Sequence, residues 1–354
     1  MKKLNVGVIG CGNIFRDAHC PAYLKMNDVC VAALCDLVPE HAHRYAPDFP
    51  EAQIYTDYEA ILRRADIDAV DICTPNDLHA PIACAALQAG KHVFCEKPDA
   101  ISPELASNMQ RSAADTNKVL MVMRNNRFMP ASQFARRYVQ AGHTGEIYAA
   151  HCAWQRRRGI PGKGGWFTTK TRSGGGPLID LGVHMIDLAL WLMGNPRPIA
   201  VTGCTYSKFA DASLVDSVNA DFGEKKADGT YDVEDLAMGF VRLENGACLT
   251  LEFSWASNIE HERRFVHLYG DKAGLKWEDD ALCLYEERNG TLMDCTPRIP
   301  KMPGNYGHEQ NLRNFADVVL RGGKPCYVPE QGVDMMKLLG ALYQSAATGR
   351  EIRI

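Results

Sequence analysis

The residues best suited to chemistry lie in one apolar stretch. From Ser173 to Pro196 the chain reads SGGGPLIDLGVHMIDLALWLMGNP, so two aspartates and a histidine run through a segment otherwise fit for a core. Unpaired polar groups are costly in such surroundings. At about 100° per residue, Asp180, His184, Asp187 and Trp191 fall on one narrow stripe, with Leu178, Leu181, Met185, Leu188 and Leu192 opposite. The spacing predicts a helix with a flexible lead-in at Gly174–Gly176, Pro177 in its first turn, and a stop at Gly194 and Pro196. Such a stripe faces a buried ion pair, a metal or a ligand. Asp180 and His184 at i and i+4 suit zinc, yet no third ligand with recognisable spacing accompanies them, and no metal is expected.

A second candidate is Lys97, in the run VFCEKPDA just past an expected parallel strand. Ligands of open α/β sheets bind beyond the carboxyl ends of the strands. Pro98 biases Lys97 towards an extended backbone. A cation there can hold a substrate hydroxyl and stabilise a growing oxyanion. The alternative is a solvated lysine with Glu96 as its loose partner.

The third is VGVIGCGNIF, where Gly10 and Gly12 match the first two glycines of the dinucleotide fingerprint and Phe15 stands in place of the third. The first glycine permits the tight turn, and the second lets the backbone approach a pyrophosphate at a helix N-terminus. Asp36 ends the next expected strand, CVAALCD. A carboxylate there accepts hydrogen bonds from both ribose hydroxyls and repels a 2′-phosphate, and no Arg or Lys follows directly, which favours NAD over NADP. The competing reading is a structural glycine turn plus a strand-end aspartate.

These residues need a scaffold. Up to residue 123, short apolar runs (LNVGVIG, VCVAALCD, AVDICTP, KHVFCEK, KVLMVM) alternate with helical stretches at 14–26, 58–64, 77–89 and 103–116. That rhythm predicts a doubly wound parallel sheet covered on both faces. From 124 onward the pattern changes. A helix at 130–141 and a strand at 146–155 precede the glycine-rich loop, and alternating segments at 201–208, 232–243, 247–254 and 264–269 predict an antiparallel or mixed sheet with one buried face. Helices at 306–321 and 332–348 follow. The expected domains are 1–123 and 124–354.

Composition narrows the class. The chain has 354 residues, 46% hydrophobic and 23% charged, with a net charge of −4. Its one basic cluster is the short Arg156–Arg158, so neither nucleic acid nor a membrane surface is an expected partner. The N-terminal MKKLNVGVIG reads as a strand rather than a signal peptide. Thirteen cysteines lie scattered without a C-x-x-C pair, which suits a reducing cytoplasm and argues against a disulfide framework.

With GCGNIF, DICTPNDLHA, CEKP, GGGPLIDLGVHMIDLALWLMG and YGHEQNLRNFADVV in one order, the chain resembles the glucose–fructose oxidoreductase / inositol dehydrogenase / rhizopine-catabolism family over nearly its full length. The resemblance implies a Rossmann domain and a larger C-terminal α/β domain with an open, mainly antiparallel sheet. It implies hydride transfer between NAD and a ring secondary alcohol of a sugar, glycoside or cyclitol. Lys97 matches the lysine of the EKP motif, and Asp180 and His184 match the DxxxH motif. Cofactor contacts are expected from Gly10, Gly12, Asn13, Ile14, Asp36, Thr74, Pro75, Asn76, His79, Glu96, Lys97 and Arg127. Substrate contacts are expected from Lys97, Arg127, Arg156, Arg158, Trp166, Asp180 and His184. A homo-oligomer, dimer or tetramer, built on the open sheet is expected as well.

On that footing His184 is the expected general base, because its pKa lies near neutrality. Lys97 polarises the same hydroxyl, and Asp180 binds a neighbouring one. Asp187 either orients the imidazole or pairs with a structural cation. Arg156, Arg158, Lys163 and Trp166 shape either a sugar-binding mouth or a subunit contact, and His41-x-His43 is assigned no role. Two other functions share the scaffold. One is redox-neutral glycoside cleavage through a transient keto intermediate on tightly bound NAD. The other is a non-catalytic NAD-sensing regulator.

Overall fold

The computed structural model describes residues 3–354. They form two compact units. The first comprises the chain up to Asn125 together with Gly304–Val333, and the second comprises Asn126–Pro303 with Asp334–Ile354. A single cut between 123 and 124 therefore does not describe the chain, because residues 304–333 return to the first unit. The reason is apolar. The Tyr306–Arg321 helix buries Leu312, Phe315 and Ala316, and the Phe315 ring lies 5.3 Å from that of Phe94 in the parallel sheet.

The first unit is built on six parallel strands: β1 Leu4–Ile9, β2 Val29–Cys35, β3 Gln53–Tyr55, β4 Ala69–Ile72, β5 His92–Cys95 and β6 Leu120–Val122. Their order is β3-β2-β1-β4-β5-β6, the doubly wound arrangement. β4 and β6 are buried throughout because helices cover both faces. The expected helix at 14–26 differs in detail. It opens as a π-helical turn over Phe15–His19 and continues as Cys20–Tyr23. Phe15, in place of the third glycine, is fully buried and meets Tyr45 edge-on at 4.8 Å. An aromatic contact thus replaces close backbone packing at that point.

The second unit carries nine strands: β7 Ile147–Gln155, β8 Pro198–Tyr206, β9 Leu236–Leu243, β10 Cys248–Ser254, β11 Arg263–Gly270, β12 Ala273–Glu278, β13 Ala281–Arg288, β14 Thr291–Cys295 and β15 Ile352–Arg353. The order is β14-β13-β12-β11-β7-β10-β9-β8-β15, and only β7 and β10 pair in parallel. One face is core, with Val241, Leu249, Phe253, Val266, Leu275 and Trp277 buried. Gly203 and Gly239, partners across β8 and β9, leave room on that face for Leu342, which a Cβ at either position would meet at 2.7 or 2.6 Å. The opposite face exposes Tyr206, Met238, Phe240, Tyr269 and Tyr285.

One helical stretch, Lys170–Leu192, is long and apolar enough to cross a membrane, but 83% of its apolar window is buried inside the protein. It is a core element.

Candidate active site

In the first unit the glycine turn, the Thr74 loop and the Lys97 loop all follow carboxyl ends of adjacent strands. Gly10 has φ +96, and a Cβ there would stand 2.6 Å from the Cys73 carbonyl oxygen. Only glycine fits that turn. Gly12 is the opposite case, since a Cβ on it would meet nothing within 4 Å. The surface above Gly12 is open to an approaching group, as a pyrophosphate requires. Nearby, the Thr74 hydroxyl oxygen is buried and has no protein partner. Open space over one glycine and an orphaned hydroxyl both fit a dinucleotide.

Asp36 sits just past β2. Its Oδ2 accepts the Cys11 N–H at 2.9 Å, and its Oδ1 accepts from Val38 N at 2.9 Å and lies 3.2 Å from His41 Nδ1. His41, given no role by sequence, therefore touches the residue expected to read the ribose. Asn13 and Ile14 are partly exposed where the helix begins.

His79 is not laid out as a ligand contact. It is fully buried, with Nδ1 2.7 Å from the Pro98 carbonyl and Nε2 2.9 Å from the Thr74 carbonyl. Burial lowers its pKa in spite of these carbonyls. It braces the Thr74 loop, with Pro75 and the buried Asn76, against the Lys97–Pro98 loop, whose peptide bond is cis.

Glu96, expected among the cofactor contacts, is also buried, and it uses both oxygens inside the protein. Oε1 lies 2.9 Å from His19 Nε2, and Oε2 accepts the Lys97 backbone N–H at 3.0 Å. His19 Nδ1 in turn lies 2.7 Å from Asp71 Oδ2, which also accepts the Tyr23 hydroxyl at 2.9 Å. His19, Asp71 and Cys73 offer three donor atoms within 4.8 Å of one another. These same atoms hydrogen-bond one another, and the second imidazole nitrogen contacts Glu96.

In the second unit the opening stretch is a π-helical turn, Leu178–Gly182, running into the helix Val183–Leu192. π-helical turns occur frequently at functional sites, and here one carries Asp180. Among the described residues from Gly175 to Leu190, only Asp180 and His184 are partly exposed and the rest are buried. Asp180 Oδ2 accepts the indole N–H of the buried Trp255 at 3.0 Å. The His184 ring lies 5.8 Å from that of Trp154, which is flanked by the guanidinium groups of Arg156 at 5.3 Å and Arg264 at 5.2 Å.

The glycines before this helix are not merely flexible. A Cβ on Gly175 would meet the Tyr343 hydroxyl at 1.9 Å, and one on Gly176 the Glu234 carbonyl oxygen at 2.0 Å. Buried Glu234 caps the helix, accepting from Gly176 N at 3.0 Å, Leu178 N at 3.1 Å and the Tyr343 hydroxyl at 2.9 Å. At the other end Arg136 donates to the carbonyls of Trp191 and Leu192. A carboxylate at the N-terminus and a cation at the C-terminus both favour the helix dipole.

Asp187 pairs with a structural cation, the second of its two expected roles. Arg127 is 1% exposed and sets Nε and Nη2 on its carboxylate at 2.8 and 2.6 Å. Arg156 is buried too. Its Nη1 donates to the Gly159 carbonyl at 3.1 Å, its Nε has no protein partner, and burial lowers its pKa against the opposing charges of Asp180 and Glu262. Arg158 donates to the carbonyls of Arg157 and Ser257 and to Asn258. Lys163 donates to the Ala212 carbonyl at 2.9 Å, and Trp166 stacks on Phe167 at 3.8 Å. Of the basic loop, then, Arg156 lies beside the Asp180 helix, while Arg158 and Lys163 tie loop to loop.

A doubly wound sheet with an open glycine turn and a strand-end aspartate, joined to a unit that presents one carboxylate and one imidazole, defines a nicotinamide-dependent oxidoreductase. Residues 4–124 match the oxidoreductase family with NAD-binding Rossmann fold, and residues 132–276 match the GFO/IDH/MocA C-terminal domain. The chain belongs to the GFO/IDH/MocA oxidoreductase family. It is 36% identical to D-glucoside 3-dehydrogenase of Escherichia coli (strain K12), over 99% of this chain and 97% of that protein. It is 33% identical to levoglucosan dehydrogenase of Pseudarthrobacter phenanthrenivorans, over 71% and 67% of the two chains. A solved structure of levoglucosan dehydrogenase with NADH and levoglucosan superposes with a TM-score of 0.86, covering all of both chains at 26% identity.

Proposed function

We propose that this enzyme oxidises a secondary ring hydroxyl of a sugar, glycoside or cyclitol, with NAD in preference to NADP. The observation that carries this reading is the selective emergence of Asp180 and His184 from an otherwise buried helix. The names of the relatives, a glucoside dehydrogenase and a levoglucosan dehydrogenase, support a carbohydrate substrate.

NAD, when bound, supplies the hydride acceptor. Gly10, Gly12, Asn13, Ile14, Thr74 and Asp36 would hold it, and the Asp36 carboxylate disfavours a 2′-phosphate. His184 takes the proton of the reacting hydroxyl, a task suited to an imidazole, whose ordinary pKa lies near neutrality. Lys97 donates a hydrogen bond to the same oxygen and stabilises the charge that develops on it. Asp180, oriented by the indole N–H of Trp255, binds a neighbouring hydroxyl. Arg156 supplies further donors for substrate oxygens. The assembly we infer is homo-oligomeric, made through the exposed sheet face.

The test is a panel of glycosides, free hexoses and cyclitols mixed with enzyme and NAD, read by absorbance of reduced nicotinamide. Stoichiometric reduced cofactor with at least one substrate is expected, and its loss in Lys97→Met and His184→Ala. Substrate cleavage with no net cofactor reduction would replace this reading with the redox-neutral one. Wild-type turnover in His184→Ala would remove the assigned base.

A further inference from the structure

The first unit contains a charged cluster that the proposed chemistry does not use. His19 and Asp71 have no exposed surface, and Glu96, Tyr23 and Cys73 are buried around them. Both His19 nitrogens face carboxylate oxygens, Asp71 Oδ2 at 2.7 Å and Glu96 Oε1 at 2.9 Å. A neutral imidazole has a single N–H and would turn a lone pair towards one of these anions. With both carboxylates ionised, only the imidazolium satisfies both. The remaining neighbours complete the enclosure. The Tyr23 hydroxyl donates to Asp71 Oδ2, the Cys73 thiol lies 3.7 Å from Asp71 Oδ1 and 3.4 Å from His19 Nδ1, and His308 on the Tyr306–Arg321 helix interacts electrostatically with Glu96 and His19.

The cluster has one outlet. Glu96 Oε2 accepts the backbone N–H of Lys97 at 3.0 Å, just where the chain leaves β5 for the loop bearing the reactive ammonium. The His19 end is equally fixed, because it lies in the π-helical turn after the glycine loop. We propose that His19 is a positioning residue for Lys97: as an imidazolium clamped between Asp71 and Glu96, it holds Glu96 ionised and aimed at the Lys97 N–H, and so fixes the loop that presents the Lys97 side chain. The proposal rests on Lys97 acting in the reaction as described above.

Energetics support the geometry. Burial opposes charge on His19, but the field of Asp71 raises its pKa well above the ordinary value, and hydrogen bonding and charge from His19 hold Glu96 down at about 2 against its own burial. A buried ion pair with all its hydrogen bonds made is rigid, whereas removing one member leaves an uncompensated charge. Catalytic groups displaced by about 1 Å lose roughly 100-fold in rate, so a brace one bond from Lys97 has leverage on kcat.

The experiment uses full-length enzyme with NAD. Glu96→Ala should lower kcat about 10- to 100-fold while the NAD Kd, read by quenching of protein fluorescence, stays near wild type. Glu96→Gln keeps an acceptor for the Lys97 N–H, but its amide NH2 then meets the Nε2–H of the His19 imidazolium, so it should recover only part of that loss. Glu96→Ala combined with Lys97→Met should be no slower than Lys97→Met alone, since both act through one group. Multiplicative losses, or wild-type kcat in Glu96→Ala, would overturn the proposal. Wild-type turnover in Lys97→Met would instead refute the role of Lys97 itself. Should Glu96→Ala not fold, amide exchange by NMR decides the matter. The Lys97 amide should be protected in the wild type and exchange faster in His19→Gln, and unchanged protection there would overturn the brace.

Discussion

Arg127 grips Asp187 with two nitrogens, at 2.8 and 2.6 Å, inside a unit where both side chains are almost fully buried. Asp187 sits three residues after His184 on the same helix, so the pair anchors the element that carries the proposed base. Breaking a buried pair leaves the other charge uncompensated, at a cost of roughly 3–5 kcal/mol. Asp187→Ala and Arg127→Ala should each lose stability of that order in denaturant titrations. The double replacement Arg127→Met with Asp187→Leu should lose much less, because no lone charge is left behind.

The two glycines of the nucleotide turn should behave differently. Gly10→Ala puts a Cβ 2.6 Å from a backbone oxygen at a positive φ, and a drop in melting temperature is expected before any question of cofactor arises. Gly12→Ala meets nothing in the protein. It should melt like wild type yet bind NAD at least about 10-fold more weakly, as only a group approaching from outside would collide with it. Calorimetric titration of the folded variant with NAD checks this.

Asp36 should set the choice of cofactor. Asp36→Asn keeps an acceptor for only one of the Cys11 and Val38 N–H groups, which bond to different carboxylate oxygens, and removes the charge that repels a 2′-phosphate. The ratio of NADP to NAD affinity should rise by about 10-fold or more, a coupling of roughly 1.4 kcal/mol. Since His41 Nδ1 stands 3.2 Å from Asp36 Oδ1, His41→Arg should shift the ratio in the same direction by bringing a permanent cation to the same spot. Titrating both variants with each dinucleotide, followed by fluorescence, separates charge from shape.

Much of this was legible in the sequence because it is local. The parallel sheet follows from apolar runs alternating with helices, and the Asp180 helix from its period and its flanking Pro177 and Gly194. The hairpins β12–β13 and β13–β14 carry a local signal as well. Their turns, Asp279-Asp280 and Asn289-Gly290, take positive φ at both central positions, the signature of the tightest hairpin loops. What was hidden depends on distant pairing. Trp154 and Trp255 reach His184 and Asp180 because β7 and β10 run in parallel register, with Phe253 opposite Trp154. His19 meets Asp71 and Glu96 across 52 and 77 residues. A single sequence carries no mark of such meetings. Glu96 and His79, whose motifs lie near the cofactor loops, have their side chains turned inward onto protein groups.

The exposed sheet face offers a test of assembly. Met238 and Phe240 alternate with buried Ala237 and Val241 along β9, and Phe240 faces Thr202 and Thr250 on its neighbours. An apolar row on an open sheet is a contact surface when large enough. Phe240→Glu with Met238→Lys should lower the sedimentation coefficient to that of a smaller species without unfolding the chain. An unchanged coefficient would place the contact elsewhere.

The charged state of His19 makes a prediction for stability against pH. Its folded pKa is raised well above the ordinary 6.5 by Asp71, against its own burial. A raised value means that the contribution is complete below about 6.5 and declines as pH climbs towards the folded pKa, because the unfolded chain has already released the proton. Glu96 is the reverse: depressed to about 2 from 4.5, it contributes fully above about 4.5 and loses that contribution on acidification. The difference in unfolding free energy between wild type and His19→Gln should therefore be greatest between pH 4.5 and 6.5. Above about pH 6.5 it should shrink, by at most about 1.4 kcal/mol per unit, the linkage for one proton, until the folded pKa is passed. Urea titrations of both proteins at three pH values measure it. A difference that stays flat from pH 7 to 9 would mean that His19 is neutral in the fold, and the clamp on Glu96 would lose its charge.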